Sequence, residues 1–329
     1  MDSIHLKSVL IGKSTQTEDN LALETYLMSN CNPSEVILFL WQSDHTVVIG
    51  RHQNPYLECD IERLKSDGVK LVRRKSGGGA VYHDLGNLNF SFIAHQSHFE
   101  TERFYQVVLK ALNALGTQGE INGRNDMVVD GKKFSGSAFL EEQGVCCHHG
   151  TLLVESELQK LSYYLTPSKL KIETKGVESI RSRVVNLNSI NPQIQVEPLK
   201  KELIRAFNET FTGTLNELQV PALSEYEIHV EPYKTWDWQV GSSPKFNVNF
   251  EKRFEWGTFK LMFEVVKGLI VGCAINTDTL TLEDFSVFTE EINGRLFDQK
   301  TILDAIEQKI KEQSIKVDLM NWMCENLSE

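Results

Sequence analysis

The period of apolar positions changes several times along the chain, and each change predicts an element. Between Glu18 and Met28, Leu21, Ala22, Tyr26 and Leu27 share one face at helical spacing. The runs Val36-Ile37-Leu38-Phe39-Leu40-Trp41 and Thr46-Val47-Val48-Ile49-Gly50 read as two strands, paired across a Ser43-Asp44-His45 turn. Residues Cys59 to Asp67 read as a helix, and Val69 to Val72 as a strand. Leu88-Asn89-Phe90-Ser91-Phe92-Ile93 alternates as a half-buried strand does. Phe104 to Leu115 is helical, with Gly116 placed as a C-cap. Asp126 to Val129 and Lys133-Phe134 flank Asp130-Gly131, a two-residue hairpin signal. Gly150 to Val154 is a further strand and Leu199 to Phe211 a further helix. Gly241-Ser242-Ser243-Pro244 reads as a linker. Beyond it, Phe254 to Val265 and Leu269 to Ile275 read as strands, then Leu282 to Ile292 and Ile302 to Ile310 as helices. No repeat of fixed period is visible, and strands and helices do not alternate as βαβ units. The expected class is α+β, with a large mixed-sheet domain over 1–243 and a smaller α+β domain over 244–329.

Composition narrows the function. A chain of 329 residues, 41% hydrophobic and 24% charged, can bury a core. Its 45 acidic and 34 basic residues give a net charge of -11, which argues against a nucleic-acid or membrane-surface partner. Six scattered cysteines in a chain of this size read as reduced thiols. The N-terminus lacks a basic region followed by an apolar block. No apolar run nears the ~20 residues of a membrane span, and Glu264 and Lys267 interrupt the most apolar late segment. The expectation is a cytoplasmic protein, by default a monomer.

Three clusters carry candidate chemistry. The first is Arg73-Arg74-Lys75-Ser76-Gly77-Gly78-Gly79-Ala80-Val81-Tyr82-His83-Asp84, a glycine-rich turn between strands with cations at its entrance. Such a turn suits a nucleotide phosphate, although it is neither a Walker loop nor a dinucleotide fingerprint. The second runs from Gly123 to Ala138 and sets Asn125, Asp126, Lys133, Ser135 and Ser137 around one hairpin. Asp126 offers a hard oxygen suited to Mg²⁺ on phosphates, and Lys133 a mobile point charge. Alternation allows only one of Lys132 and Lys133 to face a pocket. The third is Cys146-Cys147-His148-His149-Gly150-Thr151. Four successive residues of extended chain cannot wrap one metal ion, so the expectation is a pocket wall with a hydrogen-bonding imidazole.

Together these clusters resemble the lipoate–protein ligase A family. The resemblance rests on Trp41 through Arg51 with Gln53-Asn54-Pro55, and on Arg74 and Ser76 to Asn87. Gly123-Arg124-Asn125-Asp126, Lys133 to Ala138, His148 to Leu152, Lys175-Gly176-Val177 and Ser179 to Leu187 follow in order. It is strong from about Leu21 to Leu187 and looser through Phe254-Glu255-Trp256-Gly257 to the end.

The resemblance implies a catalytic domain of the biotin/lipoate ligase type with a small C-terminal domain. It implies activation of lipoate by Mg·ATP to lipoyl-AMP with release of pyrophosphate. The acyl group then passes to a lysine of the lipoyl domains of 2-oxoacid dehydrogenase E2 subunits or of the glycine cleavage H protein. By the same resemblance, Lys133 is catalytic and touches both lipoate and ATP. Arg74, Gly79, Ala80, Val81, Tyr82, Asn125 and Asp126 serve ATP, with Mg²⁺ at Asp126. Trp41, Ser76, Gly78, His83, Ser135, Ala138 and His149 serve lipoate, and Ser179 to Val184 with the C-terminal domain would shield the adenylate. Three other functions stay open: a lipoyl or octanoyl transferase using Cys146 or Cys147, a transferase taking preformed lipoyl-adenylate, and a silent binding protein.

Overall fold

The computed structural model describes residues 4–53, 55–123, 125–165, 184–239, 248–266 and 269–327. The chain divides into two compact units. The first comprises residues 1–49, 55–74 and 80–239; the second comprises 240–329 together with 50–54 and 75–79. The linker expected at Gly241 to Pro244, and with it the 243/244 boundary, falls outside the described residues.

The first unit is built on strands β1 (Leu6–Ile11), β2 (Glu35–Trp41), β3 (Thr46–Ile49), β4 (Lys70–Arg73), β5 (Val81–His83), β6 (Asn87–His95), β7 (Glu120–Asn122), β8 (Asp126–Val129), β9 (Lys132–Glu142), β10 (Val145–Leu153) and β11 (Thr214–Glu217). Eight of them form one mixed sheet in the order β11-β1-β2-β6-β10-β9-β8-β7. β1 runs parallel to β2 and β11, and the remaining pairs are antiparallel. Helices cover both faces. Helices α2 (Thr101–Ala114) and α3 (Val196–Thr210) pack on one face around Phe90, Phe92 and Phe104, with α1 (Thr17–Ser29) and α4 (Leu223–Lys234) on the other, around Phe39 and Trp41.

β2 and β6 are buried along almost their whole length because both of their faces are covered, so they read as apolar runs or as an apolar/amide alternation. β2 and β3 do not form the expected hairpin. β2 pairs with β1 and β6, while β3 pairs with β4 and β5 in a separate three-stranded sheet. Both runs need two strand neighbours, and proximity in sequence does not supply them. The Asp130-Gly131 turn is as expected, with φ of 51° and 72°, the signature of a type I′ hairpin.

The second unit contains an antiparallel sheet of β12 (Val248–Phe254), β13 (Gly257–Val266) and β14 (Leu269–Thr277). Helices α5 (Ser286–Ile292), α6 (Gln299–Lys309) and α7 (Gln313–Asn326) complete its core around Phe259, Phe263, Phe285 and Trp322. The strand expected over Phe254 to Val265 is β13, which starts only at Gly257: Phe254 ends β12 opposite Gly257, with the turn at Glu255-Trp256. The helix expected from Leu282 starts only at Ser286, where the Asp284 carboxylate accepts from the Ser286 amide at 3.0 Å.

The aromatic core of the first unit also encloses a titratable group. His148 is fully buried against Phe90, Phe92, Phe104, Tyr105 and Phe139, and neither ring nitrogen has a hydrogen-bond partner. Burial, with His149 adding to it, pushes its pKa down to about 3 from 6.5. The folded state therefore binds fewer protons than the unfolded one. The contribution is intact above pH 6.5 and is lost as pH falls towards 3. His148→Phe should then lose less stability than the parent between pH 7 and pH 5, by about 2 kcal/mol in denaturant melts. Equal losses in the two proteins would show that His148 is not held neutral by the core.

Candidate active site

The face of the large sheet that carries α1 also carries a buried polar chain. Alternation along β6 sends Phe90 and Phe92 to one face and Ser91 to the other. Ser91 stands opposite His149 of β10, and His149 stands opposite Ala138 of β9. At the end of β2, Trp41 Nε1 donates to Ser91 Oγ at 3.1 Å. Ser91 Oγ in turn donates to Glu24, which α1 brings down onto the sheet. The carboxylate of Glu24 lies 3.0 Å from His149 Nδ1, and the Cys147 sulfur is within 4.8 Å of both groups. Burial alone would raise the pKa of Glu24, but His149, Ser91 and Cys147 together hold it below the ordinary carboxylate value.

Two cation-capable groups face this chain. Arg74 is buried, donates to the Val48 carbonyl at 3.4 Å and feels the charge of Glu24. Burial lowers its pKa to about 10, so it stays a guanidinium. His83 of β5 sits edge-on to Trp41 with ring centroids 6.0 Å apart. Burial, Arg74 and His149 push its pKa down to about 3, so it is neutral. Neither ring nitrogen has a partner, and an unsatisfied buried polar group costs about 1–3 kcal/mol. Such a group is poised to take a ligand.

The β8–β9 hairpin supplies a charged pair. Lys133 Nζ lies 2.7 Å from Asp126 Oδ1, with the two side chains 35% and 36% exposed. Asp126 is opposite Gly136, and the end of the Lys133 side chain lies over that bare position, where a Cβ would stand 2.9 Å from Nζ and push the flexible ammonium aside. The main-chain oxygen of Lys133 accepts from Val185 at 2.8 Å, which docks the chain after residue 183 onto β9.

The glycine loop is tied down within the second unit. Gly78 has a φ of +90°, and its amide donates to the Thr279 carbonyl at 2.9 Å. Arg51 N donates to Ser76 O at 2.9 Å, and Thr277 N to His52 O at 3.2 Å.

Some expected positions point elsewhere. Ser135 is opposite Met127, whose side chain is in the core on the other face, so its hydroxyl is turned away from His149. The Asn125 amide donates to the Ser137 carbonyl at 3.0 Å and so braces the hairpin. The Tyr82 ring packs towards Tyr164 and its hydroxyl meets His45 Nδ1 at 3.1 Å, while its main chain lies in β5 opposite Val47 of β3. Arg124, Lys175 to Val177 and the shielding segment from Ser179 to Arg183 lie outside the described residues.

Residues 16–208 match the lipoyl protein ligase A/B catalytic domain, and residues 243–323 match the bacterial lipoate protein ligase C-terminus. A protein of Psychrobacter cryohalolentis named lipoate-protein ligase A is 37% identical over 92% of this chain and 94% of its own length. This chain belongs to the lipoate–protein ligase A family. Among solved relatives of the ligase, LipL1 of P. falciparum in complex with lipoate is 31% identical, with a TM-score of 0.83 over 97% of this chain and 99% of that one. A lipoate-protein ligase A bound with ATP is 26% identical, with a TM-score of 0.60 over 73% of this chain and 99% of that one. A bi-partite ligase from Thermoplasma acidophilum, studied with its E2 lipoyl domain, is 27% identical, with a TM-score of 0.64 over 74% and 100%.

Glu24 and Ser91 escape a reading of the sequence alone, and Cys147 enters it only as a possible acyl carrier, not as a partner of Glu24. A signal for Glu24 does exist: a carboxylate three residues after Leu21, on a helix whose neighbouring positions are nearly all buried. Its partner His149 is 125 residues away, so only the fold joins them.

Proposed function

We propose that this chain activates lipoate with ATP on the α1-covered face of the large sheet and then passes the lipoyl group to a lysine of an acceptor lipoyl domain. The observation that carries this is the Lys133–Asp126 pair, held at 2.7 Å beside a bare Gly136 on the sheet that also bears Trp41, Ser91 and His149. A carboxylate and an α-phosphate repel as they approach. The Lys133 ammonium lowers that barrier by neutralising both, and later stabilises charge on the acyl oxygen. Asp126 keeps the lysine aimed until the two anions arrive. Arg74 and the main chain of Gly79, Ala80, Val81 and Tyr82 hold the nucleotide. Trp41, Ala138 and His149 wall the acyl slot, and His83 offers the polar contact its ring nitrogens lack.

Asp126 suits Mg²⁺, which takes hard oxygens and keeps waters when it rides on phosphates. When bound it would offset phosphate charge. The Glu24–Cys147–His149 group has the wrong donors for that ion.

A transferase that carries its acyl group on a cysteine is disfavoured by the thiols themselves. Cys147 is raised well above its ordinary value by burial and by Glu24, and Cys146 is pushed up to about 11 by burial and Glu141. A nucleophilic thiol needs the opposite shift. The test is pyrophosphate release from the purified protein with Mg·ATP and lipoate and no acceptor. Lipoate-dependent pyrophosphate supports the ligase; its absence from a folded, lipoate-binding protein would leave only transfer of a preactivated acyl group. E2 lipoyl domains and the H protein are the acceptors to compare in the second step.

A further inference from the structure

Among the described residues, one group of three metal-ligating side chains comes together: Glu24 from α1 with Cys147 and His149 from β10. One ligand atom from each lies within 4.8 Å of the others, and all three residues are buried. We propose that these three residues form a binding site for a borderline-soft divalent cation of the Zn²⁺ class.

The geometry needs little change. Ligand atoms around tetrahedral zinc stand roughly 3.5 Å apart, given its bond lengths of about 2.0–2.3 Å. Glu24 and His149 are already at 3.0 Å, and Cys147 and His149 project from the same face of one strand, two residues apart. One thiolate, one imidazole and one carboxylate are a donor set that zinc takes and magnesium does not. The charge also closes: a dication with one thiolate and one carboxylate is neutral, so the filled site can stay buried. Three protein ligands leave a fourth position open. Outside the ligands, Ser91 holds Glu24 and is itself held by Trp41, the kind of second layer that orients a metal carboxylate. Arg74, whose charge reaches Glu24, works against a cation and limits the affinity.

On binding, the Cys147 S–H bond breaks and its proton leaves to solvent. Nδ1 of His149 takes the metal through its lone pair, so any proton on that nitrogen leaves to the other ring nitrogen or to solvent. Zinc should therefore bind more tightly as pH rises. Because His149 also walls the proposed acyl slot, zinc and lipoate should compete; that consequence rests on the functional reading above, whereas the metal site does not.

The test is a titration of the apoprotein with Zn²⁺ against a chromophoric chelator, beside Cys147→Ser and Glu24→Gln, with Co²⁺ as the spectroscopic probe. The expected result is one equivalent bound per chain, a thiolate-to-cobalt charge-transfer band in the near ultraviolet, and affinity at least about tenfold weaker in each variant. The same zinc affinity in folded Cys147→Ser, or Co²⁺ binding without the thiolate band in the parent protein, would overturn the site. The band in the parent decides the matter even if a variant fails to fold. Should the band form and lipoate leave it unchanged, the metal site stands and the placement of the acyl slot against His149 falls.

Discussion

Lys133→Ala should cut lipoate-dependent pyrophosphate release by about a hundred- to a thousandfold, the usual cost of removing one charge-stabilising group at a transition state. The fold should survive the change. Lys133 is one-third exposed at the end of a hairpin, and its main-chain bond to Val185 does not depend on the side chain. The loss should fall on kcat more than on the KM of either substrate, because the ammonium matters most when the carboxylate and phosphate meet. Lys133→Arg should recover little. The guanidinium is a broad planar fork and the ammonium a compact point charge, so the two do not place their charge alike. Asp126→Asn separates two roles: if Asp126 only aims Lys133, the variant should be rescued little by added Mg²⁺, whereas a metal role predicts partial rescue. A Lys133→Ala enzyme that makes pyrophosphate at the parental rate would remove the basis of the proposed chemistry.

What could be read from the chain depended on how local its cause was. The Asp130-Gly131 turn is legible because the positive φ it needs is a property of those two residues. The α2 helix is legible because helical spacing repeats along its length, whereas α1 is buried nearly all round and shows its period only between Leu21 and Leu27. The pairing of β2 is not, because any buried Val/Ile run can serve any central position, and the partners β1 and β6 are chosen by the whole sheet. β12 is hard to read from sequence because its alternating face is only half-buried, as in Val248-Asn249-Phe250-Glu251. The site divides in the same way. Lys133 and Asp126 are neighbours across a short hairpin, so the motif carries them. The Glu24–His149 contact spans 125 residues and joins a helix to a strand, so no window of sequence contains it. Ser135 shows the converse: a motif residue whose neighbours are correctly placed while a bulge beside it turns its own side chain away.

Gly50→Ala should disable nucleotide use through the backbone alone. A Cβ at Gly50 would stand 2.2 Å from the Gly78 carbonyl oxygen and 3.2 Å from the Gly77 and Gly78 carbonyl carbons, so main chain must move. Neither side is free to give. The Gly50 amide donates to Gln53 Oε1 at 2.8 Å, and the neighbouring Arg51 amide holds Ser76. Gly78 is fixed to Thr279, and Gly77 itself has no room on that side, since a Cβ there would come within 2.6 Å of the Thr279 oxygen. Overpacking of this kind costs about 1–3 kcal/mol, and here the displaced atoms are the loop that leads into Gly79 and Ala80. The expected result is a lower melting temperature and an ATP KM raised about tenfold or more, with lipoate binding close to parental. Gly79→Ala is the informative contrast. A Cβ there meets no protein atom within 4 Å, so stability should not change. If ATP lies against the Gly79 main chain, its KM alone should rise in that variant. If both variants bind ATP as the parent does, the glycine loop is a structural tie between strands and the nucleotide is held elsewhere.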